Sequence, residues 1–125
     1  MEDCRADLIV IAAGYTDEME KFLSMNPGFR SRFNKFIDFA DYSAEELYLI
    51  FVKMCNKYDY SLSNNALEYV KTFFSDTINS KPINFSNGRF VRNYFEKVIE
   101  NQSNRIAMAD NYDNLQEIII DDLKI

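Results

Sequence analysis

The segment "DLIVIAAGY", residues 7–15, constrains the fold more than any other stretch. It opens as a continuous apolar run rich in β-branched residues. Such a run suits a strand buried on both faces, as inside a parallel sheet. Leu8 to Ala13 are expected to form that strand, with Gly14 at its exit. A central strand needs neighbours along both edges, and the rest of the chain offers little to supply them. The segment therefore reads as the end of a larger α/β layer. Standing alone it would present an apolar edge, which predicts self-association or a rearranged N-terminal segment.

The next residues continue that layer. Thr16 is expected to cap a helix whose first turn carries Asp17 and Glu18, where negative charge favours the helix dipole. The helix "DEMEKFLSM" stops at Asn26-Pro27-Gly28. A turn with Arg30 and Arg32 leads into "FNKFIDF", residues 33–39, whose alternation of apolar and polar residues predicts a second strand.

Near residues 40–42 the pattern changes to helices. Ser43 and Glu46 form a capping box ahead of an apolar stripe, Leu47, Ile50, Phe51 and Met54. A second helix, capped by Ser63, carries Leu67, Val70, Phe73 and Phe74 on one face. "SKPINFSNG", residues 80–88, is the main loop, and a long third helix is expected from Arg89 to Ala109. The tail "LQEIIIDDLKI" reads either as a short strand at Glu117–Ile120 or as a last helical turn, the preferred reading being a short extended piece that leads into a turn at Asp121-Asp122. The expected class is an α+β fragment, mainly α: strand–helix–strand over 1–40, then a helical bundle over 41–125.

Composition narrows the chemistry. The chain has 125 residues, 47% of them hydrophobic, with only three Gly and two Pro, which favours a helical core over a loop-rich or all-β one. The net charge of −6 argues against a nucleic-acid partner held by phosphate neutralisation. There is no histidine, so Ser-His and Cys-His catalysis and His-based metal sites are ruled out. Cys4 and Cys55 match no zinc spacing and read as ordinary thiols. No apolar run is long enough to span a membrane and no leader pattern is present, so a soluble cytoplasmic protein is expected. The carboxylate pairs Glu45-Glu46, Asp121-Asp122 and Glu18/Glu20 have ordinary capping or solvation roles, and no metal site is expected.

The order of parts resembles a known family. "LIVIAAGYTDEMEKFLSMNPGFRSRF", followed by "NGRFVRNYFEKVIENQSNR", is similar to the C-terminal half of an AAA+ ATPase module. More narrowly it resembles the CbxX/CfqX branch, which includes stage V sporulation protein K and the red-type Rubisco activases. That branch carries a strand ending in Ala-Gly-Tyr, an Asn-Pro-Gly-x-Arg-Ser-Arg-Phe segment and a Gly-Asn-Ala-Arg-x-Val-Arg-Asn element. In the last of these the present chain has Ser-Asn-Gly-Arg. The resemblance covers nearly the whole chain. It implies that residues 1–40 end the large α/β subdomain and that 41–125 form the α-helical lid.

The resemblance also assigns roles. Arg32 matches an arginine finger, which acts in trans on the γ-phosphate of ATP held by a neighbouring subunit; Arg30 is its partner, or the finger itself. A guanidinium suits that task because it is permanently charged and offers a planar fork of donors. On composition alone two solvated arginines would be the commoner reading; the surrounding motif reverses it. Arg89 matches the sensor-2 arginine, reaching the phosphates of its own subunit's nucleotide from a helix start. Arg92 lies one turn on and serves either there or in a surface pair with Glu96. Tyr15 and Thr16 occupy the sensor-1 region.

The chain has no G-x-x-x-x-G-K-[ST] phosphate loop and no strand ending in paired acidic residues. In the family both lie upstream, and Met1 reads as an internal methionine. The expectation is an ATPase part that cannot hydrolyse ATP alone. ATP and Mg belong to the intact protein, and no cofactor is expected to bind this fragment tightly. The intact protein would form a ring, a hexamer, and remodel a client protein. Two other readings stay open: a non-enzymatic helical interaction module derived from a lid, and a nucleic-acid-acting AAA+ relative, against which the acidic balance counts.

Overall fold

A computed structural model describes residues 8–80, 87–109 and 114–125. The chain divides into two compact units, the first ending at Ala40 and the second beginning at Asp41.

The first unit is built around two short helices, α1 (Thr16–Met25) and α2 (Pro27–Arg32). Pro27 stands at the first position of α2, where its missing N–H costs nothing and its fixed φ is already helical. The stretch expected as a turn thus winds into a helix, closed by the Phe33 N–H donating to the Phe29 carbonyl at 2.9 Å. Phe22 of α1 stacks on Phe29 of α2 with ring centroids 5.3 Å apart. Leu23 is buried.

The two expected strands do not form. Residues 8–15 and 33–43 carry no ladder hydrogen bonds. Their apolar side chains lie open to solvent: Ile9 is 88% and Ile11 87% exposed, and Ile37 and Phe39 are 77% and 87% exposed. The physical reason is the one the sequence raised. A central strand is stabilised by partners along both edges, and no described segment supplies them. The cap of α1 is also shifted from expectation. Tyr15 takes the N-cap position with no side-chain hydrogen bond, its carbonyl accepting from the Met19 N–H at 2.8 Å. Thr16 is already helical.

The second unit packs α3 (Ala44–Lys57), α4 (Asn64–Asn79) and α5 (Asn87–Ala109) around one core. The capping box at Ser43 and Glu46 is present in both directions, at 3.2 and 3.1 Å. The Ser63 hydroxyl accepts from the Ala66 N–H at 3.2 Å, as a cap for α4 should. Leu47, Phe51 and Cys55 on α3, Ala66, Val70 and Phe74 on α4, and Val91, Tyr94, Phe95 and Val98 on α5 fill the interior. These are the stripes the 3.6-residue period predicts, with Ala66 buried more deeply than Leu67. Phe51 joins all three helices: its ring lies 6.0 Å from Phe74, 5.4 Å from Tyr94 and 6.2 Å from Phe95.

The β-structure lies here instead. β1 (Ser61–Leu62) pairs in parallel with β2 (Glu117–Ile118), Ser61 opposite Glu117 and Leu62 opposite Ile118. A four-residue helix, α6 (Ile120–Leu123), follows, so Asp121-Asp122 is helical and not a turn. The expected class, mainly α with a little β, therefore holds: the strands expected at 8–13 and 33–39 are absent, while β2 falls within the extended piece expected at Glu117–Ile120. The tail is held to α5 by side chains. The Tyr94 hydroxyl donates to the Leu123 carbonyl at 2.8 Å, and the Gln102 amide donates to the Leu115 carbonyl at 2.6 Å.

Candidate functional site

Arg30 and Arg32 both lie on α2, two positions apart, and so point in different directions. Arg30 Nη2 pairs with Glu20 Oε2 of α1 at 2.9 Å; both side chains are about half exposed. Arg32 folds its Nη1 back to 3.3 Å from the Gly28 carbonyl of the same helix. A Cβ at Gly28 would stand 2.7 Å from Arg32 Nη1, so a larger residue there would displace the end of this flexible side chain. The segment thus holds one arginine in an ion pair across two helices and lays the other along its own helix.

Tyr15 and Thr16 stand at the start of α1. Tyr15 is 48% exposed. The Thr16 hydroxyl lies 3.4 Å from Asp38 Oδ1, a long contact that ties the helix start to the segment leading out of the unit. Sequence reasoning gave this hydroxyl a capping job; the structure gives it a side-chain partner.

The second unit holds the other candidates. α5 begins at Asn87, two residues before the expected start, so Gly88 and Arg89 are already in its first turn. Residues 81–86 of the expected loop lie outside the described residues, as do Met1 to Asp7, including Cys4. Arg89 and Arg92 are exposed, one turn apart, and among the described residues neither has an ion-pair partner. The pair of Arg92 with Glu96 is not made. Both residues instead line an open cleft of about 450 Å³ with Tyr58, Tyr60 and Phe95. Arg89 is not among the residues lining that cleft, so the two guanidiniums serve different surroundings.

Asn87 is the residue the sequence did not single out. Its backbone has φ 42°, a left-handed value that asparagine accepts more readily than most residues. Its Oδ1 accepts the Tyr42 N–H at 2.9 Å, and its Nδ2 donates to Asp41 Oδ1 at 2.7 Å. The only signal in the sequence was an asparagine just before a helix. A second missed pair lies at the other end of α5, where Arg105 Nε meets Asp122 Oδ1 at 2.9 Å.

Nucleophilic chemistry is not supported by Cys55. Burial pushes its thiol up to about 12, so it stays protonated at neutral pH. Tyr94 is likewise raised, by burial first and then by the neighbouring Tyr69 and Cys55. Among the described residues no three His, Cys, Asp or Glu side chains gather as a metal ion requires. No helix among them is long and apolar enough to cross a membrane.

The helical unit coincides with a family match: the AAA lid domain aligns with residues 43–125. The chain belongs to the AAA lid domain family. Its relatives carry the likeness through the first unit as well. It is 46% identical over its whole length to stage V sporulation protein K of Bacillus subtilis, covering 40% of that protein. It is 39% identical to the protein CbbX of Cereibacter sphaeroides over 87% of this chain and 35% of that protein. A CfxQ homologue of Galdieria sulphuraria is also 39% identical, over 89% of this chain and 36% of that protein. The chain thus spans about two fifths of the length of the curated relatives it matches. The resemblance read from "AAGY", "NPGFRSRF" and "NGRFVRN" holds: the chain is similar to the C-terminal portion of a CbbX/CfxQ-like AAA+ ATPase.

Proposed function

We propose that this chain is the arginine-finger and lid portion of an AAA+ ATPase that hydrolyses ATP, with Mg, to remodel a partner protein. The observation that carries the reading is the pairing of a lid domain over 43–125 with an upstream segment, "NPGFRSRF", in one chain 46% identical to stage V sporulation protein K. Residues 1–40 end the large subdomain and 41–125 are the lid.

Each arginine has a part. Arg32 is the finger that reaches the nucleotide of a neighbouring subunit in a ring, a hexamer. Arg30, tied to Glu20, sets the position of α2. Arg89 is the sensor-2 residue: it is exposed in the first turn of a 23-residue helix, where the dipole favours an anion, and it has no ion-pair partner among the described residues. These features fit the polyphosphate of ATP, which supplies the high-energy bond. Arg92, one turn on, is the second sensor-2 candidate. Tyr15 and Thr16 lie in the sensor-1 region. The phosphate loop and the magnesium-holding carboxylates belong to sequence outside this chain, and the compartment is the cytoplasm.

The test begins with the coding DNA upstream of Met1. A continuing frame that encodes a Gly-Lys-Ser/Thr loop and a strand ending in acidic residues, whose product hydrolyses ATP, supports the reading. A frame that lacks them overturns it and leaves a helical protein-interaction module, the second reading. Exposure of Ile9, Ile11 and Phe39 is the observation that favours a partner for the first unit in either case.

A further inference from the structure

We infer that Asn87 is a positioning residue that couples the segment between the two units to the nucleotide arginine; this rests on the sensor-2 reading of Arg89. All the residues concerned lie within the second unit. Asp41 and Tyr42 are the first residues after the break at Ala40. They also lead directly into Ser43, the cap of α3. Asn87 is the first residue of α5, and Arg89 follows two positions later. One carboxamide joins these places, using both of its ends: Oδ1 takes the Tyr42 N–H at 2.9 Å and Nδ2 gives to Asp41 Oδ1 at 2.7 Å.

Both bonds lie at the surface, and what distinguishes them is that one carboxamide fixes two consecutive residues at once. The Nδ2 bond is to a charged acceptor, which makes it one of the stronger kind. The φ of 42° at Asn87 turns the backbone sharply just before Arg89, so the direction in which α5 starts depends on the residue that holds that turn. A displacement of residues 41–42 is therefore passed to the first turn of α5, and nucleotide held by Arg89 is felt at residues 41–42. Positioning by Asn87 sets how well Arg89 meets a phosphate; the residue itself touches none.

The test exchanges the two side chains in the intact ATPase that carries this chain. Asn87→Asp keeps the acceptor for Tyr42, tolerates the left-handed backbone and suits a helix start, so folding should be kept. It replaces the donor with a second carboxylate facing Asp41. Asp41→Asn combined with Asn87→Asp restores one donor and one acceptor in reverse. The readouts are affinity for a fluorescent ADP analogue, KM against kcat for ATP, and the melting temperature. The expected result for Asn87→Asp is nucleotide binding weakened by up to roughly tenfold, because a misaimed Arg89 loses part of its own charge-assisted bond to phosphate. KM should rise more than kcat falls, the melting temperature should drop only slightly, as for an exposed contact, and the double exchange should recover affinity. Unchanged affinity in Asn87→Asp, or no recovery in the double exchange, overturns the inference. Arg89→Ala separates the two readings. If it weakens binding while Asn87→Asp does not, only the role of Asn87 fails; if Arg89→Ala itself binds as before, the sensor-2 reading fails and takes this one with it.

Discussion

Arg105 grips both oxygens of Asp122, with Nε to Oδ1 at 2.9 Å and Nη2 to Oδ2 at 3.2 Å. Asp122 is 2% exposed and Arg105 33%. The same guanidinium donates to the Glu117 carbonyl at 3.1 Å, and Asp122 Oδ2 accepts the Ile119 N–H at 3.0 Å. One ion pair thus fixes β2 and α6 against α5.

The unequal burial of that pair gives an unequal prediction. Removing Arg105 strands a buried carboxylate, a loss of about 3 kcal/mol at the low end for buried pairs. Asp122→Asn leaves a guanidinium that can turn to water and an oxygen that still accepts from Ile119, so the cost should stay nearer 1 kcal/mol. Urea denaturation of Arg105→Met and Asp122→Asn reads the difference. Equal losses would mean that the pair behaves as a surface contact.

Phe51 should be among the costliest aromatics to truncate. Its ring meets those of Phe74, Tyr94 and Phe95 and is fully buried. Phe51→Ala is expected to lose about 3–5 kcal/mol, a large part of what a domain of this size commonly holds. Thermal or urea unfolding of the variant checks it. A loss below about 1 kcal/mol would mean the bundle closes over the gap with little cavity left.

Much of the second unit was legible because its signals are local. The stripe Leu47, Ile50, Phe51 and Met54 and the capping box at Ser43 depend on residues within one helix. The strand at Leu8–Ala13 was misread for the opposite reason: an apolar β-branched run states a preference, but a ladder needs a partner, and none is described. The extended piece at Glu117–Ile120 is legible and contains β2, but β1 is not, because it is two residues long and its pairing with β2 is set by how the tail lies on α5. The site shows the same division. Arg30, Arg32 and Arg89 stood out through motif resemblance. Asn87 did not, because its meaning lies in Tyr42, 45 residues away.

Alkaline pH should weaken the fold through Cys55. Its thiol ionises near 9 when unfolded and only near 12 when folded. Between those values the unfolded state binds fewer protons than the folded one, so stability falls as pH rises; below 9 the contribution is complete. Tyr94, raised in the same direction chiefly by burial, adds to the trend from 10 upward. Melting temperatures should therefore drop between pH 8 and pH 11, and Cys55→Ala should flatten the part of that slope above 9. A slope unchanged in Cys55→Ala would remove the thiol as its cause.

Arg30 and Arg32 are separable in a ring. Arg30 is bound to Glu20 of α1 and is 52% exposed, so Arg30→Ala removes a surface pair worth about 0.2–1 kcal/mol and loosens α2. Arg32, on a different side of α2, is the finger in the reading proposed above. A finger acts on charge that develops as the γ-phosphate leaves, and it acts across a subunit boundary. Arg32→Ala in the intact ATPase should then lower kcat by about 10³ or more with nucleotide affinity largely kept, whereas Arg30→Ala should lower it far less. Mixing subunits sharpens the comparison. Arg32→Ala subunits doped into a ring of subunits disabled at the phosphate loop should place a working finger beside a working nucleotide site only where the two kinds meet. Activity that appears on mixing two inactive proteins supports action in trans through Arg32. Recovery that follows Arg30→Ala instead would assign the finger to Arg30. If neither variant loses activity, the segment is a structural brace, held by the Glu20 pair and the fold of Arg32 over Gly28.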